Sequence, residues 1–373
     1  MRLRHGGELR QFAEKFGTSE RDILDFSSNI NPWGPPDSVR KVYKENAEEL
    51  QYYPDSEALE FRREVARHFP LFPENVIAGN GAAELLDLIF RLLRPKKALL
   101  IEPTFLEYRR LLNLQGTEIR SVLLREREDF RLVEPELINA LQGMEVVVFA
   151  QPNNPTGSLV EKEVLQKLMA EARRRNVFVI LDEAFIDWIP DQSFAREVRD
   201  DSHFFVIRSL TKFFSLPGIR IGYGLGARKL IEKLSTYQTP WSCNRLAQKL
   251  GTAALRDQEF IDESREWLLK AREDFAAHLR EIPSLKVYPS AGNFLLFRWA
   301  KLPLQEELGK QGICLRDLSD FSGLGSGFFR VAVKKQEENL RLVEALQSLS
   351  LQGHEVPEAI PPPEGGGIAS SSA

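Results

Sequence analysis

The chain has 373 residues, 43% of them hydrophobic and 28% charged, with a formal net charge of −4. Disorder throughout is excluded, because it demands few apolar residues and a large net charge, and the near balance of charge leaves no basic field for nucleic acid. Two cysteines, Cys243 and Cys314, and five scattered histidines offer neither a disulfide framework nor a protein-built metal site.

The opening MRLRHGGELR lacks the apolar stretch of a secretory signal. Residues 1–40 are punctuated by glycine and proline, with HGG at 5–7 and NINPWGPP at 29–36. They predict an irregular arm with a short helix over Gly7–Phe16. Ala58–His68 predicts a helix with its charges outward. From Val76 onward, short apolar runs alternate with helical periodicity. The runs fall at Val76–Ala78, Ala98–Ile101, Val146–Ala150, Val177–Leu181, Phe204–Ile207 and Ile219–Tyr223, with helices such as Ala82–Leu93 and Lys162–Arg175 between them. This α/β alternation predicts a mostly parallel sheet covered by helices on both faces, in a large domain over residues 41–235.

A long charged helix is expected near Asp257–Glu281. The short strands KVYPS, GNFLLFRW, GICLRDL and FFRVAVK follow, then a helix near Gln336–Ser350. Residues 236–352 therefore read as a connecting helix and a smaller C-terminal α+β domain. The Pro-, Gly- and Ser-rich stretch 353–373 is expected to be a disordered tail. No apolar run approaches the ~18 residues that span a bilayer, so the chain reads as soluble and cytoplasmic.

In open α/β sheets ligands bind beyond the carboxyl ends of the strands. After Val76–Ala78 stands GNGAAE, where the backbone N–H groups of Gly81, Ala82 and Ala83 form either a tight turn or an anion site at a helix start. After Val146–Ala150 stands QPNNPTG, which presents the Asn154 amide. Asp182 ends an apolar run, where a carboxylate is costly unless a cation meets it. RSLTKFFSLPGIRIGY brings Ser209, Thr211, Lys212 and Arg220 around one turn. Lys212 precedes two phenylalanines, and desolvation lowers an amine's pKa and favours nucleophilic chemistry. Together these groups suit pyridoxal 5′-phosphate. Its phosphate takes N–H groups, hydroxyls and an arginine, its aldehyde takes a lysine, and its ring nitrogen takes a carboxylate that keeps it protonated.

The order of NNPTG, DEAF, SLTKFF and GIRIGY resembles the fold-type I pyridoxal-phosphate enzymes, in the class-II branch of histidinol-phosphate aminotransferases. Within that branch HGG, DFSSNINPWG, YPD at 53–55, DEAFIDWIP, SLTKFFSLPGIRIGY and TPWSCN are similar to the threonine-phosphate decarboxylases of cobalamin synthesis, over about residues 3–350. The resemblance implies that Lys212 and Asp182 are catalytic, Lys212 bonding the cofactor's aldehyde and Asp182 its ring nitrogen. It implies that Asn154 bonds the ring hydroxyl and reaches the substrate, and that Tyr108, in PTFLEY, stacks on the ring. Gly81, Ala82, Ala83, Ser209, Thr211 and Arg220 would hold the phosphate. Tyr53 would reach the partner's cofactor in a homodimer.

By the same resemblance Arg330, in FFRVAV, binds a substrate carboxylate bidentately, with Arg316, His5 and Asn31 near the substrate phosphate. The implied reaction is decarboxylation of threonine O-phosphate to aminopropanol O-phosphate and CO₂; transamination of histidinol phosphate is the alternative. Phe185 stands where such aminotransferases commonly carry the tyrosine of DEAY, and NINP at 29–32 stands where they carry NENP.

Overall fold

The computed structural model describes residues 6–198, 202–301 and 303–351. His5 and the stretch 353–373 lie outside these residues. The chain begins with helix α1 (Leu9–Phe16), the two-residue strand β1 (Leu24–Asp25), α2 (Asp37–Glu45) and α3 (Leu59–Arg67). Next come β2 (Val76–Gly79), α4 (Ala82–Leu93), β3 (Lys97–Glu102), α5 (Leu106–Leu114), β4 (Glu118–Leu123), α6 (Glu134–Ala140), β5 (Val146–Ala150), α7 (Lys162–Arg174), β6 (Phe178–Asp182), β7 (Phe204–Ser209), β8 (Gly222–Gly226) and α8 (Arg228–Tyr237). The remainder is α9 (Arg245–Arg256), α10 (Gln258–Arg280), β9 (Leu285–Val287), β10 (Phe294–Trp299), α11 (Leu304–Lys310), β11 (Ile313–Cys314), β12 (Arg316–Asp317), β13 (Phe328–Ala332) and α12 (Gln336–Leu351).

Seven strands form one sheet in the order β2-β8-β7-β6-β5-β3-β4. Strands β5, β6 and β7 are buried along their whole length, which is why they read as unbroken apolar runs instead of alternating ones. Only β8 runs against its neighbours, pairing antiparallel with both β7 and β2. Strand β2 is therefore parallel to the central strands, and the turn after it opens on the same edge of the sheet as the ends of β5, β6 and β7.

The apolar run Ile219–Tyr223 only partly becomes strand, because β8 starts at Gly222 and consists of GYGLG. Its glycines are spatial necessities. A Cβ on Gly222 would lie 2.7 Å from the Arg208 carbonyl oxygen and 2.9 Å from the Ala82 nitrogen. Without one, the start of α4 packs directly on the sheet. Strand β4 escapes a search for apolar runs because EIRSVL is an edge strand with exposed polar positions.

A four-stranded antiparallel sheet, β12-β13-β10-β9, carries the C-terminal part, and β1 pairs in parallel with β11 beside it. The arm of the chain is thus tied to its far end. Register sets Arg316 directly opposite Arg330. Helix α10 begins on an Asp257 side chain that accepts the Phe260 N–H at 3.1 Å, and α9 on an Asn244 side chain that accepts the Ala247 N–H at 2.8 Å. Such caps stabilise a helix by about 1 kcal/mol each. Helix α9 packs on α2 and α3, so contacts cross the boundary expected near residue 235. Among the described residues no helix is long and apolar enough to cross a membrane.

Candidate active site

The carboxyl edge of the large sheet opens on a cavity of about 260 Å³. Ala82, Ala83, Tyr108, Asn154, Asp182, Ser209, Thr211, Lys212, Arg220, Arg316 and Arg330 all line it. Residues separated by up to about 250 positions thus meet as the strand ends predict.

Helix α4 directs its first N–H groups into this space, and those groups have no partner within a helix. Gly81 caps it at φ 79°, and a Cβ there would lie 2.5 Å from the Arg220 guanidinium. Arg220 itself has φ 60°, in the left-handed region. Backbone shape and close packing together bring a cation to a helix N-terminus, a combination suited to a phosphate. Ser209 ends β7, and its hydroxyl accepts the Thr211 N–H at 3.2 Å.

Asp182 ends β6. Its Oδ2 accepts the Tyr108 hydroxyl at 2.7 Å and its Oδ1 the Ala184 N–H at 2.9 Å. Burial raises its pKa above the ordinary value; Tyr108, Ala184 and Lys212 act the other way. The Tyr108 hydroxyl is itself held well above its ordinary range by burial and by Asp182. On the far side of the same strand ends, Arg208 lies 2.8 Å from Glu183 and 2.8 Å from Asp187. This buried ion cluster fastens β6 to β7 one residue away from Asp182 and Ser209. Lys212 is brought down to about 8 by burial first, then by the like charges of Arg330 and Arg220, with Asp25 and Asp182 opposing. An amine in that range is available as a nucleophile and a proton carrier near neutral pH.

Arg330 is 7% exposed and has no carboxylate partner among the described residues. Its Nη1 donates to Asn154 Oδ1 at 2.5 Å and its Nη2 to the Ser27 carbonyl at 2.8 Å, while its Nε has no partner. Burial and the neighbouring Arg316 push its pKa down. Arginine does not give up its proton, so the unfavourable field is relieved by an incoming anion. Phe294 lies under this guanidinium at 5.6 Å and meets Phe185 edge-on at 5.0 Å, so the cavity-lining Phe185 ring is backed by a second buried ring. Arg316 is buried and pairs with Asp320 at 3.2 Å.

Four expected residues are not in the cavity wall; Gly81 is one, standing just behind it as the cap of α4 against Arg220. His5 lies outside the described residues, although Gly6 beside it lines the cavity. Tyr53 is 76% exposed and rests 5.0 Å from the Trp241 ring, away from its own chain's cavity. Asn31 is the correction of substance. Its Nδ2 donates to the Phe213 carbonyl and to Ser264 Oγ, both at 3.0 Å, and its Oδ1 accepts the Trp33 N–H at 3.2 Å. With its side chain fully engaged elsewhere, Asn31 braces the segment after Lys212.

The residue facing the cavity is Asn29, 1% exposed, with neither amide atom hydrogen-bonded. Ser27 and Ser28 line the cavity beside it. The signal for these residues was present as the polar triplet SSN directly after Leu24-Asp25-Phe26, but nothing local says which asparagine of NIN faces inward.

The residues present fit pyridoxal phosphate. A helix N-terminus with an arginine and two hydroxyls meets a phosphate, an amine of lowered pKa meets an aldehyde, and a buried carboxylate meets a ring nitrogen. A further anion site around Arg330 and Arg316 is left for the substrate.

Comparison with known proteins agrees with this geometry. The family model for aminotransferase class I and II matches residues 21–346. A threonine-phosphate decarboxylase of Salmonella typhimurium is 36% identical over 349 residues, covering 92% of this chain and 96% of that protein. The adenosylcobalamin biosynthesis bifunctional protein of Leptospira interrogans is 30% identical over 92% of this chain and 41% of its own length. The crystal structure of histidinol-phosphate aminotransferase from Clostridium acetobutylicum superposes with a TM-score of 0.82 at 31% identity, covering 87% of this chain and 98% of that one.

Proposed function

Because the chain belongs to the aminotransferase class I and II family, we propose that it is a pyridoxal-phosphate-dependent carboxy-lyase that converts threonine O-phosphate to aminopropanol O-phosphate and CO₂ for cobalamin synthesis. The observation that carries this reading is Arg330, a buried guanidinium whose hydrogen-bond partners Asn154 and the Ser27 carbonyl are neutral, next to a second buried arginine. Such a pair suits a substrate with two anionic groups, a carboxylate and a phosphate. Identity of 36% to a threonine-phosphate decarboxylase over nearly the whole chain supports it.

When bound, pyridoxal phosphate supplies an aldehyde for the substrate amine and an electron-withdrawing ring for the charge that develops at Cα. The chain's own residues do the rest. The Ala82 and Ala83 N–H groups, Ser209, Thr211 and Arg220 hold the cofactor phosphate. Asp182, whose charged form the Tyr108 hydroxyl favours against the effect of burial, would hold a proton on the ring nitrogen. Asn154 links Arg330 to the ring side of the cavity. Arg330 fixes the substrate carboxylate, and Asn29 and Arg316, with His5, receive its phosphate.

With pyridoxal phosphate bound, the orientation in which the chain holds the substrate would select which bond to Cα is cleaved. Two anchors, one on the carboxylate and one on the phosphate, decide which bond that is. The apolar ring of Phe185, which lines the cavity, would keep water from the carboxylate, which favours loss of its charge as CO₂. Lys212 Nζ then returns a proton to Cα as general acid.

We further read the protein as a cytoplasmic homodimer. Its two cysteines are buried and free, and the large apolar side chains Tyr52, Tyr53 and Trp241 are exposed, the last two with their rings 5.0 Å apart, as apolar surface at a protein interface would be. Tyr53 would meet the partner's cofactor phosphate across it. The deciding experiment supplies threonine phosphate to the cofactor-loaded protein and measures CO₂ and aminopropanol phosphate. Formation of a 2-oxo acid without CO₂ would instead assign an aminotransferase, the activity of the histidinol-phosphate relative.

A further inference from the structure

Residues 24–29 do more than line the cavity. Leu24 N and Phe26 N donate to the Gly312 and Cys314 carbonyls, and the Phe26 carbonyl accepts the Ala332 N–H, each at 2.9 Å. This stretch is therefore fixed between β11 and β13. Within it Ser27 is fully buried, and both its N–H and its hydroxyl donate to Asp25 Oδ1, at 2.8 and 2.6 Å. With its single proton committed, the Ser27 hydroxyl can only accept from elsewhere, and it accepts the Gly7 N–H at 2.9 Å.

The carbonyl of the same residue accepts from Arg330 Nη2 at 2.8 Å. The arm presses on that carbonyl too, because a Cβ on Gly6 would collide with the Ser27 oxygen. One residue therefore holds the arm with its side chain and the guanidinium with its backbone, and Asp25 prevents it from turning.

We propose that Ser27, locked by Asp25, is a positioning residue that couples the seating of the Gly6–Gly7 arm to the orientation of Arg330. Its consequence for substrate rests on the reading of Arg330 as the carboxylate-binding group; the coupling itself lies within the protein. Coupling of this kind is reciprocal. An unseated arm deprives Arg330 of a fixed partner, and a missing guanidinium loosens the arm.

The reciprocal direction is tested without any substrate, by hydrogen exchange of the pyridoxal-phosphate-loaded protein. In Arg330→Met, and in Arg330→Lys should the first variant fold poorly, exchange at the Gly7 amide should rise about fivefold or more, the scale of one lost hydrogen bond. Exchange in the central strand β5 should stay as in the unaltered protein. Unchanged protection at Gly7 overturns the coupling.

The forward direction is tested by binding to Gly6→Ala. Affinity for threonine phosphate should fall at least about fivefold more than affinity for aminopropanol phosphate, since only the first carries a carboxylate. An equal fall for both ligands means that the arm serves the phosphate alone, and overturns the proposal. Failure of the unaltered enzyme to release CO₂ would be a failure of the proposed function instead, and the exchange measurement would still decide the coupling.

Discussion

The Tyr108 hydroxyl donates to Asp182 Oδ2 across 2.7 Å, and both side chains are buried. A carboxylate in that position is raised toward neutrality by burial, and the hydroxyl is the largest influence against it. Tyr108→Phe removes the donor and keeps the ring. The expected result is a loss of about 1.5–3 kcal/mol in kcat/KM, the range for a hydrogen bond to a charged group, with faster release of cofactor. Steady-state kinetics and cofactor titration check it; unchanged values would mean that the hydroxyl does not serve Asp182.

Lys212 gives a pH signature. Its amine is brought from 10.5 down to about 8 in the fold, chiefly by burial. A lysine whose folded pKa is depressed destabilises the fold while charged, and that penalty disappears as pH rises from about 8 to 10.5. Without cofactor, Lys212→Met should therefore exceed the unaltered protein in Tm below pH 8, and the gap should close toward pH 10.5. With cofactor, Lys212→Ala should lose both turnover and the reducible covalent adduct. A persisting adduct would place the bond on another lysine.

Arg330 is expected to dominate recognition of the substrate carboxylate. Arg330→Met should lower kcat/KM for threonine phosphate by about 2–5 kcal/mol, the range for truncating one partner of a buried charge pair. The same change should affect binding of aminopropanol phosphate much less. A loss smaller than about tenfold in kcat/KM, roughly 1.4 kcal/mol, would remove it from that role.

Asn29 and Asn31 should separate cleanly by phenotype. Asn31→Ala strips hydrogen bonds from the Phe213 carbonyl, Ser264 and Trp33, so thermal unfolding should reveal about 1–3 kcal/mol of lost stability. Asn29→Ala removes an amide with no partner in the protein. It should leave Tm nearly unchanged and raise KM for the phosphorylated substrate. The opposite pattern would reverse the two assignments.

Much of the site was legible in the sequence because its groups sit at the ends of unbroken apolar runs. Asp182 closes β6 and Ser209 closes β7, and a polar residue that ends a doubly buried strand has few places to go except the edge where ligands bind. Lys212 was legible for a related reason, since two phenylalanines after it promise an apolar setting. Strand β4 was not legible, because an edge strand carries charge for solubility and loses the apolar run that betrays its neighbours.

The sequence by itself therefore determined the alternating architecture, the cofactor chemistry and most of the residues that line the cavity. Each of these follows from local pattern, the period of burial and the residue types next to a strand end. Tertiary structure alone decided which asparagine of NIN faces the cavity, because the choice rests on Phe213 and Ser264, 182 and 233 residues away. It also decided that Arg330 meets Asn154, 176 residues earlier, and that it shares Ser27 with the arm. Local patterning chooses which side chains turn inward; which of them touch is set by the packing of segments that have no proximity along the chain.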